Sequence, residues 1–153
     1  MTDPRTNRPR SVLGSWTDRL LAAIGSRTER LLAVALAGVA VGAVPPWLLA
    51  NPFYDGVAAA VYYPGQRLGL ETWGMATLPL AVLAMAVLVA RDGRAATASS
   101  ALVGAGAFAV AADTAIQTAF TPWLLPGPGV VITAASGLAI LAIVASARTD
   151  PER

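Results

Sequence analysis

Leu31 to Ala50 reads LLAVALAGVAVGAVPPWLLA, twenty residues without a charge. As a helix rising ~1.5 Å per residue, this run covers the ~30 Å hydrocarbon core of a bilayer. Its flanks agree with that reading. Ser26-Arg-Thr-Glu29 ahead of it matches a capping box, in which a serine and a glutamate satisfy each other's free backbone N–H groups at a helix start. Pro45-Pro46 and Trp47 close the run at the far interface, where tryptophan prefers to sit. Inside it, Gly38 and Gly42 have the four-residue spacing that lets a second helix approach closely.

Working outward, three more apolar runs predict spans at about 72–90, 98–120 and 130–147. Pro79 lies in the middle of the second and is expected to kink it by freeing the Met75 carbonyl. Arg91-Asp-Gly-Arg94 makes a tight loop between the second and third, and Pro126-Gly-Pro-Gly129 a short turn before the fourth. The longest connection, 51–71, carries turn signals at Asn51-Pro52 and Pro64-Gly65, with a short surface helix predicted over Asp55 to Tyr63. Residues 1–10 read as a basic tail. Residues 11–25 place Val12, Trp16, Leu20 and Ile24 four apart, an amphipathic helix too polar to span and suited to the membrane surface. The expected organisation is a cytoplasmic segment over 1–30, a four-helix transmembrane domain over 31–147 and a cytoplasmic tail over 148–153. The fold class is an all-α polytopic four-helix bundle.

Composition supports a bilayer. Of 153 residues 56% are hydrophobic and 13% charged, against about 25% charged in an average soluble domain. Between Leu31 and Ala147 the charges are Asp55, Arg67, Glu71, Arg91, Asp92, Arg94 and Asp113. The net charge of +2 therefore reflects basic flanks, which suit anionic lipid headgroups rather than nucleic acid. With the amino terminus inside, ten arginines fall on inner segments and Arg67 alone on an outer loop, so both ends should be cytoplasmic. The polar leader is too long for a signal peptide and no small-residue cleavage site follows, so the first run reads as a retained span. The chain has no cysteine and no histidine. That excludes thiolate chemistry, Cys or His metal sites, His-ligated haem and a Ser-His-Asp triad. No cofactor is expected.

A repeat runs through the spans. Pro46-Trp-Leu-Leu-x-x-Pro52 recurs as Pro122-Trp-Leu-Leu-x-x-Pro128, an offset of 76 residues. Leu80-Ala-Val-Leu-Ala-Met85 matches Leu138-Ala-Ile-Leu-Ala-Ile143 at an offset of 58, the difference being the longer first outer loop. Each half ends on an Ala-Arg pair, at Ala90-Arg91 and Ala147-Arg148. The pattern suggests two duplicated hairpins in parallel orientation, related by an axis along the membrane normal.

Asp113 is the one ionisable residue inside a predicted span, roughly 6 Å to the outer side of the third helix's centre. A charge there is costly, so it should face the bundle or take up a proton. Gln117 lies one turn further out, and Thr114, Thr118 and Thr121 widen the polar stripe. Under the 76-residue offset Asp113 falls on Ala37, Thr114 on Gly38 and Thr118 on Gly42. The stripe reads either as polar glue between helices or toward a partner protein, or as a ligand or ion site. Trp16, Trp47, Trp73 and Trp123 are expected as interface anchors. Arg67 and Glu71, four apart, should form an exposed pair of little energetic weight.

Pro126-Gly-Pro-Gly-Val-Val-Ile-Thr-Ala-Ala-Ser-Gly137, entering a last apolar helix after an earlier Pro-Trp, resembles small uncharacterised four-span membrane proteins of archaea and actinobacteria. The likeness covers mainly the last two helices. It implies a fold and a location, and no activity or site residues. The leading expectation is a non-enzymatic accessory or structural subunit in the cell membrane, held by a membrane-protein partner or as a homo-oligomer. The alternative is a small oligomeric transporter or channel using the Asp113 stripe. A lone buried carboxylate offers too little for acid–base catalysis, which needs paired groups.

Overall fold

A computed structural model describes residues 26–54, 67–90 and 93–149. The expected amphipathic helix with Trp16, the surface helix over 55–63 and the last four residues lie outside them, as does the Arg67 side chain. Four helices dominate: α1 (Arg27–Gly42), α2 (Gly74–Ala90), α3 (Arg94–Ala119) and α4 (Pro128–Thr149). α1 packs chiefly on α4 and α2, and α3 chiefly on the same two, so the four stand in a ring with α1 and α3 on one diagonal.

The helix ends follow from the sequence. At the start of α1, Glu29 N donates to Ser26 Oγ at 3.2 Å and Ser26 N donates to Glu29 Oε2 at 2.7 Å, a complete capping box. Gly93, at φ +85°, turns the chain between α2 and α3 in a conformation open to glycine. α4 begins at Pro128, where a missing N–H costs nothing. α2 continues through Pro79.

The first run departs from expectation. Its helix stops at Gly42 rather than reaching Ala50, because Pro45 and Pro46 lack donors and push the residues before them out of helical geometry. Residues Pro46–Ala50 instead form a strand, β1. It is the centre of a small antiparallel sheet with β2 (Arg67–Leu68) on one side and β3 (Leu124–Pro126) on the other. The fold is therefore mostly helical and not all-α. Register is Leu48↔Pro126, Leu49↔Leu125 and Ala50↔Leu124. Further bonds tie the connections: Gly127 N to Trp47 O at 2.7 Å, Asn51 N to Trp123 O at 2.9 Å and Asn51 Nδ2 to Pro122 O at 2.8 Å.

α2 and α3 bury mainly small residues and expose large ones, whereas α1 buries Leu32, Leu36 and Val39 and α4 buries Ile140 and Val144. α3 buries Ala96, Ser100, Gly104, Ala107, Ala111, Thr114 and Thr118. It exposes Leu102, Phe108, Ile116 and Phe120. α2 buries Gly74, Thr77, Ala81, Ala84 and Leu88 while Met75, Leu80, Val82, Leu83 and Val89 face outward. Glycines set the closest approaches. A Cβ on Gly42 would stand 2.5 Å from Thr133 Oγ1 and 2.9 Å from Thr133 N, and one on Gly38 would collide with the Ser136 hydroxyl. The predicted glycine pair thus lies against α4. Thr133 Oγ1 is buried without a hydrogen bond, as is Thr77 Oγ1. α3 meets α4 at Gly104 and Gly137, whose added Cβ atoms would lie 2.7 Å from Ile140 Cγ2 and from Gly104 O respectively.

Two helices, over Arg94–Ala119 and Pro128–Arg148, are long and apolar enough to cross a membrane, and Gly74–Ala90 is a shorter apolar helix.

Candidate functional site

The two Pro-Trp motifs and the C-terminal part of α3 meet around one cavity of about 590 Å³. α3 contributes Thr114, Gln117 and Thr118 along one side, and Thr121 follows just past its end. The approach to α2 contributes Thr72 and Trp73 opposite, and the strand segments contribute Trp47, Leu48, Trp123 and Leu124.

The three tryptophans differ in role. Trp47, expected as an interface anchor, is 0% exposed. Its Nε1 donates to Gly42 O at 2.9 Å, giving the carbonyl at the end of α1 a partner that the helix cannot supply. Gly69 and Gly129 both press on its indole; a Cβ at either would stand within 2.7 Å of Nε1. The small residues around it leave a slot that only a large flat side chain fills. Trp73 is half exposed at the start of α2, and Trp123 is partly buried, its ring tilted at 53° to that of Tyr54 with centroids 6.0 Å apart.

The threonines share a pattern. Thr114 Oγ1 donates to Val110 O at 2.9 Å, Thr118 Oγ1 to Ala115 O at 2.8 Å, Thr121 Oγ1 to Gln117 O at 2.7 Å and Thr72 Oγ1 to Gly69 O at 2.9 Å. Each hydroxyl proton is used within its own segment, so each oxygen offers only lone pairs elsewhere.

Asp113 is exposed, so of the two expectations for it, facing the bundle or taking up a proton, the first is not met. The turn explains this. Ala111, Thr114 and Thr118 form the buried stripe of α3, and Asp113 and Gln117 each lie ~100° behind its threonines. Gln117 Nε2 donates to Asp113 Oδ2 at 2.6 Å. A carboxylate only accepts, so this bond fixes the amide with its nitrogen toward Asp113 and leaves Oε1 without that partner. Of the expected polar set, Thr114, Gln117 and Thr118 line the cavity, and Asp113 reaches it through Gln117. The sequence reading did not bring Trp47, Trp73 and Trp123 together with that stripe. The shared Pro-Trp motif was the available signal.

Among the described residues no three His, Cys, Asp or Glu side chains cluster to hold a metal ion. Compared with known proteins, the chain matches no family model, no curated sequence and no solved structure.

Proposed function

We propose that this chain is a four-span membrane protein with both ends in the cytoplasm, built from two duplicated hairpins, and that it serves as a non-enzymatic accessory or structural subunit. The observation that carries the membrane placement is the large apolar surface that the helices leave exposed. Leu, Val, Ile, Phe and Met cover the outside of all four helices, while the inside combines Ala, Gly, Ser and Thr with Leu32, Leu36, Val39 and Ile140. Water would penalise so much exposed apolar surface. In lipid, where apolar side chains gain nothing by hiding, close packing of small residues is what draws helices together. α1, at 16 residues, is ~24 Å long, and the sheet beyond it keeps the non-helical backbone hydrogen-bonded, as membrane depth requires.

Duplication is supported by the strand pairing. Leu49 pairs with Leu125, its own counterpart at the 76-residue offset, and the flanking pairs Leu48↔Pro126 and Ala50↔Leu124 exchange under the same two-fold.

The subunit role is supported by two features. Inward of the cavity, α3 continues as the packed stripe Ala111, Ala107, Gly104 and Ser100, whose hydroxyl is bonded to Ala96 O at 2.8 Å. This suits holding a group at the outer end better than passing one through. Asp113 and Gln117 also stand exposed on a helix whose other outward residues include Ile116 and Phe120. A polar pair in that setting favours a contact that shields it from lipid. The test is purification in mild detergent from native membranes, with mass spectrometry and the mass of the complex. A stoichiometric partner or a defined homo-oligomer is expected. Accumulation as a lone, stable monomer would contradict the proposal.

A further inference from the structure

We infer that the outer cavity is a binding site for a primary ammonium group. The inference draws on the membrane placement proposed above only for the depth at which the cavity lies, and it is independent of the subunit role.

Donors and acceptors around the cavity select the ligand. Thr72, Thr114, Thr118 and Thr121 each spend their hydroxyl proton on a backbone carbonyl, so their oxygens can only accept from a ligand. Gln117 is held with its amide nitrogen toward Asp113, which turns its carbonyl oxygen into a fifth acceptor. The Trp47 N–H is committed to Gly42 O. Among the described residues that line the cavity none is basic. Trp73 and Trp123 also line it, and aromatic rings attract cations. Asp113, one turn inward and bonded to Gln117, places a carboxyl group beside the cavity. A described lining of acceptors and aromatic rings beside a carboxyl group offers an anion no donor. An ammonium with three N–H donors matches it, whereas a quaternary ammonium leaves the acceptors unused.

Broken symmetry between the halves accounts for the cavity. Gly38 and Gly42 bring α1 hard against Ser136 and Thr133 of α4. The positions 76 residues on are Thr114 and Thr118, and these line open space beside the start of α2. One half of the bundle closes where the other stays open and polar.

Two sources could supply such a group, an aminophospholipid headgroup or a soluble amine. The experiment titrates the purified, lipid-stripped protein in maltoside micelles with butylammonium, tetramethylammonium and butanoate, read by tryptophan fluorescence. Saturable binding of butylammonium is expected, at least tenfold tighter than tetramethylammonium, with no binding of butanoate. Gln117→Leu should weaken butylammonium at least tenfold, and Asp113→Asn should weaken it and flatten its dependence on salt. Both residues are exposed, and circular dichroism checks that the variants keep their helices. Repeating the titration in nanodiscs of phosphatidylethanolamine and of phosphatidylcholine separates the sources. Weaker amine binding in the first alone identifies the lipid headgroup, and equal binding in both identifies a soluble amine. Absence of saturable butylammonium binding, equal affinity for tetramethylammonium, or an unchanged Gln117→Leu affinity would each overturn the inference. None of these results bears on whether a partner co-purifies.

Discussion

Gly104 and Gly106 lie two residues apart in α3 and make a matched pair for testing how the bundle is packed. A Cβ added at Gly106 meets nothing within 4 Å. At Gly104 the same atom would stand 2.7 Å from Ile140 Cγ2, 2.8 Å from Ile140 Cβ and 3.2 Å from the Gly137 carbonyl oxygen. Ile140 is 0% exposed and its β-branched side chain has little freedom to rotate away. Relief therefore requires α3 and α4 to separate, and forced overpacking of this kind costs about 1–3 kcal/mol. Alanine is better than glycine in a helix interior by roughly 0.5–1 kcal/mol, and that gain applies to both sites. It cancels in the comparison. Gly106→Ala should be neutral or slightly stabilising, and Gly104→Ala should fall below it by about 1–3 kcal/mol. The assay is reversible unfolding in mixed micelles, or steric trapping in bicelles, with both variants measured beside the parent. Equal stabilities within about 0.5 kcal/mol, a typical surface effect, would refute the close α3–α4 approach.

Other expectations follow from the same geometry. Trp47→Phe should cost about 1 kcal/mol for the lost bond to Gly42 O, and Trp47→Ala about 3–5 kcal/mol for the cavity left between Gly69 and Gly129; the same unfolding assay reads both. Ser26→Ala should cost about 1 kcal/mol by removing the cap of α1, and hydrogen exchange should place the loss in that helix's first turn. Asp113→Asn should leave ion or solute flux in proteoliposomes unchanged; loss of a measurable flux would favour the transport reading over the subunit one.

Much of this architecture is written locally in the chain. The capping box at Ser26 and Glu29, the glycine turn at Gly93 and the proline start of α4 each need only a few neighbouring residues to specify them. The Asp113–Gln117 contact follows from their i,i+4 spacing. The sheet was not legible. Pro46–Ala50 is five residues of an apolar run, and so short a run fits strand and helix alike. What decides it is pairing with Leu124–Pro126, more than 70 residues away. The same distance hid the burial of Trp47, which depends on Gly69 and Gly129 arriving from two other segments. The facing of Asp113 failed for a different reason. A polar stripe on a helix has two edges, and the stripe's own residues do not say which edge the neighbouring helices cover.

The central claim is that the chain crosses the membrane four times with both ends inside, and the absence of native cysteine allows a direct measurement. Single cysteines introduced as Phe53→Cys, Ala95→Cys, Trp123→Cys and Pro151→Cys are labelled in intact cells with a membrane-impermeant maleimide, then again after permeabilisation. Positions 53 and 123 should react in intact cells, and positions 95 and 151 only once the membrane is opened. Labelling of position 95 from outside, or protection of position 53 until permeabilisation, would contradict the topology and the account built on it.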